Sequence, residues 1–168
     1  CADSQGGKST LAAAAARRGW RHLSDDMCLV DVERVTAMPY ARPLMLRAGG
    51  RGHLGDVAAP PPEHCSFFPD EWFFPASELG AAVGEDAVPL VAVCFLAWQP
   101  HASLERMSQA QVLHDLVRHS ATVARQGEVG FRRLEQIARG VPGFRVGLGA
   151  ATDVLDLRRT AFRKPGLN

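Results

Sequence analysis

Apolar residues fall into short runs separated by glycine, proline and charged residues, and these runs predict strands alternating with helices. An alanine-rich segment predicts a helix over residues 10–18 with Gly19 at its C-cap, because alanine favours helix and glycine tolerates the capping conformation. Residues 20–24 are typical of the end of a strand, and residues 27–33 are typical of a strand. The first part of the chain is therefore expected to contain one helix followed by extended segments.

Two further apolar segments predict extended structure in the middle of the chain. Residues 40–47 are expected to be extended, and Pro43 within them favours an edge strand or a loop entry because proline lacks an N–H group. Residues 88–98 form the longest apolar run and predict a central strand.

The last third of the chain predicts three helices and a strand. Ser108 and Gln111 have capping-box spacing at the start of a helix, and further helices are predicted over residues 130–139 and 152–162, with a strand at 143–149 between them. The helix after Ser108 carries an apolar stripe, formed by Val112, Leu113, Leu116 and Val117. This alternation predicts the α/β class, with a mixed or parallel sheet flanked by helices.

A long stretch over residues 48–75 has no regular pattern and is rich in glycine, proline and aromatic residues. A loop of this length in a small domain is usually functional or mobile. One interpretation is a surface excursion whose aromatic side chains pack on the core. The alternative is a wall of the substrate site or a contact between subunits. The aromatic residues concerned are Phe67, Phe68, Trp72, Phe73 and Phe74.

Composition excludes several function classes. The 168 residues suffice for one domain, and a net charge of +1 gives no electrostatic basis for binding nucleic acid or an anionic membrane. No apolar run reaches the length of a membrane span. The four cysteines, Cys1, Cys28, Cys65 and Cys94, are far apart, so neither a disulfide nor a zinc framework is expected. Cys28 and Cys94 lie in apolar runs and are expected to be buried. These features suit a reducing cytoplasm.

The clearest chemical motif is a phosphate-binding loop at the start of the chain. The pattern G-x-x-x-x-G-K-[ST] is matched in its last three positions by Gly7, Lys8 and Ser9, while Ala2 replaces its first glycine. In such a loop, backbone N–H groups surround the phosphates, the lysine reaches the β- and γ-phosphates, and the serine hydroxyl binds Mg²⁺. The predicted nucleotide-binding residues are Ala2, Asp3, Ser4, Gln5, Gly6, Gly7, Lys8, Ser9 and Thr10.

Two features of the sequence around this loop sharpen the prediction. Lysine occurs only at Lys8 and Lys164 among 19 basic residues, and a compact ammonium among phosphates is a role in which arginine substitutes poorly. A phosphate-binding loop normally follows a buried strand, and no strand's length of sequence precedes Ala2. We therefore expect the natural chain to carry such a strand upstream.

A pair of aspartates, Asp25 and Asp26, follows one helix after the loop. A Ser-Asp-Asp sequence also suits a simple polar turn. In an α/β protein with a phosphate loop, however, the strand after the first helix ends beside that loop. Carboxylates there can hold Mg²⁺ or accept a proton from an incoming hydroxyl.

The segment "GGKSTLAAAAARRGWRHLSDDMCLVD" resembles the HPr kinase/phosphorylase family and its shorter relatives, which share the order GKST, helix, R-x-G-[HW], D-D. Phosphoenolpyruvate carboxykinase has a similar layout and nucleotide core. "YARPLMLR" is similar to the family's P-R-P-hydrophobic-x-L-K segment, with Arg47 at the lysine position, and "VPGFRVGLG" is similar to a late family strand. The resemblance therefore spans most of the chain and is most specific in its first 31 residues.

The resemblance implies a single serine-kinase domain over residues 1–168 that lacks its natural N-terminal part and uses ATP and Mg²⁺. Lys8, Asp25 and Asp26 would be catalytic, with Asp25 as the base toward a serine hydroxyl. Ser9 and Asp26 would hold the metal. The implied acceptor is a serine or threonine of a small protein or peptide. The family often forms hexamers, which implies a homo-oligomer with the aromatic stretch as its contact.

Two other functions compete with the kinase. The chain could be a nucleotide-binding regulatory module without phosphoryl transfer, or an enzyme of the carboxykinase type, for whose substrate lobe it is too short. The six histidines show no metal-ligand spacing, and only His53 is a candidate for substrate contact. Arg42, Arg47 and Arg51 are candidates for a transition-state arginine, with solvated surface charge as the alternative.

Overall fold

The computed structural model describes residues 1, 6–52, 71–149 and 155. Its helices are α1 (Lys8–Arg17), α2 (Ala48–Gly52), α3 (Gln109–His119) and α4 (Thr122–Gly140), with a short 3₁₀ helix at Ala76–Leu79. Its strands are β1 (Leu29–Asp31), β2 (Thr36–Met38), β3 (Leu44–Arg47), β4 (Glu71–Phe74), β5 (Val88–Pro89), β6 (Val93–Trp98), β7 (Ser103–Arg106) and β8 (Gly143–Leu148). The protein is thus mixed α/β, in agreement with the predicted class.

The strands form three small sheets, ordered β1-β2-β5, β3-β4 and β6-β8-β7. The chain also divides into two compact units. The sheet unit comprises Cys1–Gly6, Val30–Thr36 and Pro89–Asn168, and the α1 unit comprises Gly7–Leu29 and Ala37–Val88. The prediction of a single kinase domain over residues 1–168 stays a prediction.

The sheet unit is built on β8, which pairs in parallel with β6 and antiparallel with β7. Parallel pairing of β6 with β8 needs a crossover, and α3 and α4 lie between these strands in the chain. The apolar stripe predicted on α3 is confirmed, since Val112 and Leu116 are buried and Leu113 and Val117 pack against the same core. The core itself consists of Val93, Phe95, Met107, Val112, Leu116, Leu134, Ile137, Ala138 and Val141.

The predicted capping box at the start of α3 is confirmed. The Ser108 hydroxyl accepts from the Gln111 N–H at 3.3 Å, and the Ser108 N–H donates to the Gln111 side chain at 2.9 Å. Two donors that would otherwise lack partners at the helix N-terminus are satisfied in this way.

Residue Cys1 pairs with the free side of β6. Its amino group donates to the Cys94 carbonyl at 2.7 Å, and its own carbonyl accepts from the Leu96 N–H at 2.9 Å. These two bonds to alternate residues, on either side of Phe95, are the pattern of a parallel pair.

The α1 unit packs α1 and the β3–β4 pair around a small apolar centre. α1 buries Ala13, Ala14, Ala15 and Ala16, and the β strands bury Leu44, Leu46 and Phe74. The antiparallel register places Leu44 opposite Phe74 and Arg47 opposite Glu71. Phe74 thus packs into the core, as one interpretation of the aromatic stretch predicted, while Phe67 and Phe68 lie outside the described residues.

Several predicted boundaries need correction. The predicted central strand over residues 88–98 is wrong in part, because it divides into β5 and β6 in different sheets. The strand over 27–33 shortens to β1, and residues 20–24 contribute only an isolated bridge at His22. The irregular stretch begins with α2 and ends with β4.

The helix predicted over residues 130–139 is the second part of a longer helix, α4. α4 starts at Thr122 and is kinked at Gly127, whose φ of 55° and ψ of −129° are not helical. Cys28 is exposed rather than buried, whereas Cys94 is half-buried and its burial raises the pKa of its thiol. The predicted helix at 152–162 and Cys65 lie outside the described residues. No helix in the described part of the chain is long and apolar enough to span a membrane.

Gly143, at the start of β8, tests the packing of the sheet unit. A Cβ atom there would overlap Val112 Cγ2 and lie 3.3 Å from Val112 Cβ, and valine is stiff at χ1. We expect Gly143→Ala to lower the free energy of unfolding by about 1–3 kcal/mol. Gly140→Ala is the matched control, since a Cβ there meets nothing within 4 Å. Equal denaturation midpoints for the two variants would contradict this packing.

Candidate functional site

The start of α1 is shaped by Gly7. Gly7 is the N-cap residue and adopts a left-handed conformation with φ 81° and ψ 7°, which glycine enters without a steric cost. Its carbonyl accepts the first helical bond, from the Leu11 N–H at 2.9 Å. Because Gly7 has no side chain, no side-chain oxygen caps this helix. A ligand could therefore approach the backbone at Lys8 and Ser9 without meeting an N-cap side chain.

Ser9, in the first turn of α1, is joined to Asp25. The Ser9 hydroxyl lies 3.1 Å from Asp25 Oδ1 and 3.2 Å from Oδ2, and it donates to this carboxylate. Asp25 is only 6% exposed. A second donor, the Met45 N–H of β3, reaches Asp25 Oδ2 at 3.0 Å. The structure thus brings together two of the predicted site residues, which are far apart in the sequence, and adds a third group from β3.

The segment that carries Asp25 is fixed by backbone bonds on both sides. His22 forms an isolated parallel bridge with Val83, and the Leu23 carbonyl accepts from the Tyr40 N–H at 3.0 Å. The Ser-Asp-Asp sequence that follows Leu23 would otherwise favour a polar turn. These bonds hold Asp25 in position beside α1.

The ring of His22 provides a further contact in this region. His22 is 7% exposed, and its Nε2 atom lies 3.0 Å from the Arg42 carbonyl oxygen. A carbonyl can only accept, so we assign the proton to Nε2. Residue 43 is proline and has no N–H group to offer a ladder bond here. The imidazole therefore holds the segment that leads into β3 and Met45.

A sharp turn separates Asp25 from Asp26. The Met27 N–H donates to the Asp25 carbonyl at 2.8 Å, which closes a three-residue turn centred on Asp26. Asp26 has φ 64°, a left-handed conformation that is uncommon outside glycine, asparagine and aspartate. Its side chain is exposed, whereas that of Asp25 is buried. Two neighbouring carboxylates therefore have different environments.

The candidate arginines do not converge on this site as a group. Arg47 donates from Nε and Nη2 to Glu71 Oε1, at 3.0 and 2.7 Å, across the β3–β4 pair. Arg42 is exposed, and its carbonyl is the acceptor of the His22 bond. The side chain of Arg51 lies outside what the structure describes.

The remaining predicted site residues are placed as follows. Gly6, Lys8 and Thr10 are half-buried at or beside the start of α1. Ala2, Asp3, Ser4, Gln5 and the substrate candidate His53 lie outside the described residues. Within the described ranges, no group of three or more His, Cys, Asp or Glu side chains is arranged to hold a metal ion.

Sequence reasoning did not find His22 and Met45 as parts of the site. Met45 contributes a backbone N–H, which every non-proline residue carries, so no sequence signal could mark it. A histidine three residues before an aspartate pair is a weak signal of its own. It gains meaning only from burial and from the Arg42 carbonyl.

Comparisons with known proteins gave no match to a protein-family model, a curated protein or a solved structure. The resemblance to HPr kinases therefore rests on the motifs of this sequence.

The His22–Arg42 bond gives a prediction about stability. We expect His22→Leu to lower the free energy of unfolding by about 1–3 kcal/mol, because the Arg42 carbonyl loses a buried donor. His22→Gln, whose amide can place a donor near the Nε2 position, should recover part of that loss. His101→Leu is the control, since His101 is exposed. Equal urea midpoints for His22→Leu and His22→Gln would show that packing, not the hydrogen bond, matters at this position.

Proposed function

We propose that this protein is a P-loop kinase that binds ATP with Mg²⁺ around Gly6–Thr10 and transfers the γ-phosphoryl group to a serine or threonine hydroxyl of a protein or peptide. The observation that carries the proposal is the bond between the Ser9 hydroxyl and the buried Asp25 carboxylate, at the start of a helix that glycine initiates.

The arrangement fits a magnesium–nucleotide complex in its donor chemistry. Mg²⁺ is usually held by one or two protein oxygen groups, while phosphates and water supply the remainder. Ser9 offers a hydroxyl and Asp25 a carboxylate, and both lie in the first turn of α1 or beside it. When bound, Mg²⁺ would neutralise charge that develops on the phosphates. A cluster of three carboxylates or histidines is not needed for such a site.

Backbone and lysine supply the rest of the proposed phosphate site. The N-terminus of α1 offers N–H groups and a positive dipole end to an anion. Lys8 would place its ammonium group among the β- and γ-phosphate oxygens. Gly7 permits a phosphate to approach this backbone closely because it carries no Cβ.

For the two aspartates, we propose the reverse of the roles that the resemblance implies. Both oxygens of Asp25 already face the Ser9 hydroxyl, and Oδ2 also accepts from Met45 N–H, so Asp25 is suited to the metal side of the site. Asp26 is exposed and can reach an acceptor hydroxyl that arrives from solvent. Asp26 would orient that hydroxyl and accept its proton late in transfer.

Calorimetric titration with ATP and Mg²⁺ tests the binding site. We expect wild type to bind, and Lys8→Ala to weaken binding at least about tenfold because a charge-assisted contact to phosphate is lost. Asp25→Asn should remove most of the Mg²⁺ dependence, and Asp26→Asn should retain binding. Asp26→Asn is a fair control because asparagine also tolerates a left-handed backbone. Wild-type affinity in Asp25→Asn together with lost affinity in Asp26→Asn would reject the proposed roles.

A phosphoryl-transfer assay separates the kinase from a regulatory nucleotide-binding module. The protein is incubated with γ-labelled ATP and a library of serine- and threonine-containing peptides. We expect label transfer by wild type and a decrease of about 10²–10⁴-fold in kcat for Asp26→Asn, with little change in ATP affinity. Tight binding of ATP without transfer to any peptide would favour the regulatory module.

A further inference from the structure

The helix α2 contacts α1, and Gly50 of α2 leaves no room for a side chain beside Thr10 in the first turn of α1. A Cβ atom on Gly50 would stand 2.6 Å from Thr10 Oγ1 and 3.8 Å from Thr10 Cβ. A Cβ atom on the preceding residue, Gly49, would meet nothing within 4 Å. Two adjacent glycines of the same short helix therefore differ in their tolerance of a side chain.

Thr10 cannot easily rotate away from a side chain at position 50. Threonine carries two heavy atoms on Cβ, so two of its three staggered positions are occupied. Only the rotamer that directs the Cβ hydrogen toward Gly50 would make room. Otherwise the α1 and α2 backbones must move apart, and the backbone at Thr10 moves with them.

The strand before α2, β3, contacts Asp25 on the other side of the proposed site. β3 supplies the Met45 N–H that binds Asp25, and α2 follows β3 without an intervening loop. The segment Leu44–Gly52 therefore touches both Asp25, through Met45, and α1, through Gly50 at Thr10. The adjacent hydroxyls of α1 have different surroundings, because that of Ser9 bonds Asp25 while that of Thr10 packs on Gly50.

We propose that Gly50 is a positioning residue of the nucleotide site. Its missing side chain lets one continuous segment fix the first turn of α1 and the Asp25 carboxylate relative to each other. The inference rests on the proposed function, because the geometry it protects is that of the Ser9–Asp25 pair. Thr10 then serves the site through its backbone, and its hydroxyl is a packing group.

The test compares Gly50→Ala with Gly49→Ala in calorimetric titrations with Mg²⁺ and ATP. We expect Gly50→Ala to weaken ATP binding about 10- to 100-fold, since losing one hydrogen bond between the displaced α1 backbone and a charged phosphate has an effect of this size. Gly49→Ala should bind as wild type does. Alanine favours helix at both positions, so helix propensity does not distinguish the two variants.

Threonine variants supply the rescue. Thr10→Ala removes the atom that a Cβ at position 50 would strike, so the double variant Thr10→Ala/Gly50→Ala should bind ATP as Thr10→Ala alone does. Thr10→Ser/Gly50→Ala should be intermediate, because serine has one heavy atom on Cβ and can rotate it away. If Gly50→Ala alone fails to fold, the double variants still decide the question, and failure of rescue would overturn the inference.

A stability control separates positioning from general destabilisation. Gly143→Ala strikes Val112 in the sheet unit and is expected to lower the melting temperature without weakening ATP binding at a temperature well below melting. If Gly143→Ala and Gly50→Ala weaken binding equally, the positioning role is rejected. If wild type itself binds no ATP, the proposed function fails and the inference fails with it. If wild type binds and Gly50→Ala binds equally well, only the inference fails.

Discussion

The hydrogen bonds made by the buried carboxylate of Asp25 join the parts of the α1 unit. A carboxyl group that is only 6% exposed needs hydrogen-bond partners, since burying an unpaired polar group is costly. Those partners are the Ser9 hydroxyl of α1 and the Met45 N–H of β3. A single side chain therefore joins three segments that are far apart in the sequence. Loss of any one segment would leave a buried polar group without its partner.

The same turn gives the two adjacent aspartates different surroundings, which the proposed function would use for different roles. The Met27 N–H donates to the Asp25 carbonyl across Asp26, whose φ is positive, so the chain turns sharply between the two carboxylates. One carboxylate is thereby buried against α1, while the next is exposed to solvent. Different environments for paired carboxylates are how proteins assign an electrostatic role to one and proton transfer to the other.

The features that were correctly predicted from the sequence are local ones. The capping box at Ser108 depends on residues three apart, and the stripe on α3 depends on helical periodicity. The run over residues 88–98 misled because an apolar pattern does not reveal where a chain leaves one sheet for another. The kink at Gly127 was hidden for a related reason, because glycine is compatible with both helical and non-helical backbone.

The candidate site shows the same contrast between features that the local sequence predicts and features that it does not. Lys8, Ser9 and Asp25 could be predicted because side-chain chemistry marks them in a motif. The groups that orient them could not, because Met45 acts through its N–H and Gly50 through the absence of a side chain. Both lie on the segment Leu44–Gly52. Under the proposed function, backbone placement by this segment would decide whether the motif residues can hold a nucleotide, because side-chain chemistry alone does not fix their relative positions. The segment Leu44–Gly52 would then be as much a part of the site as the motif itself.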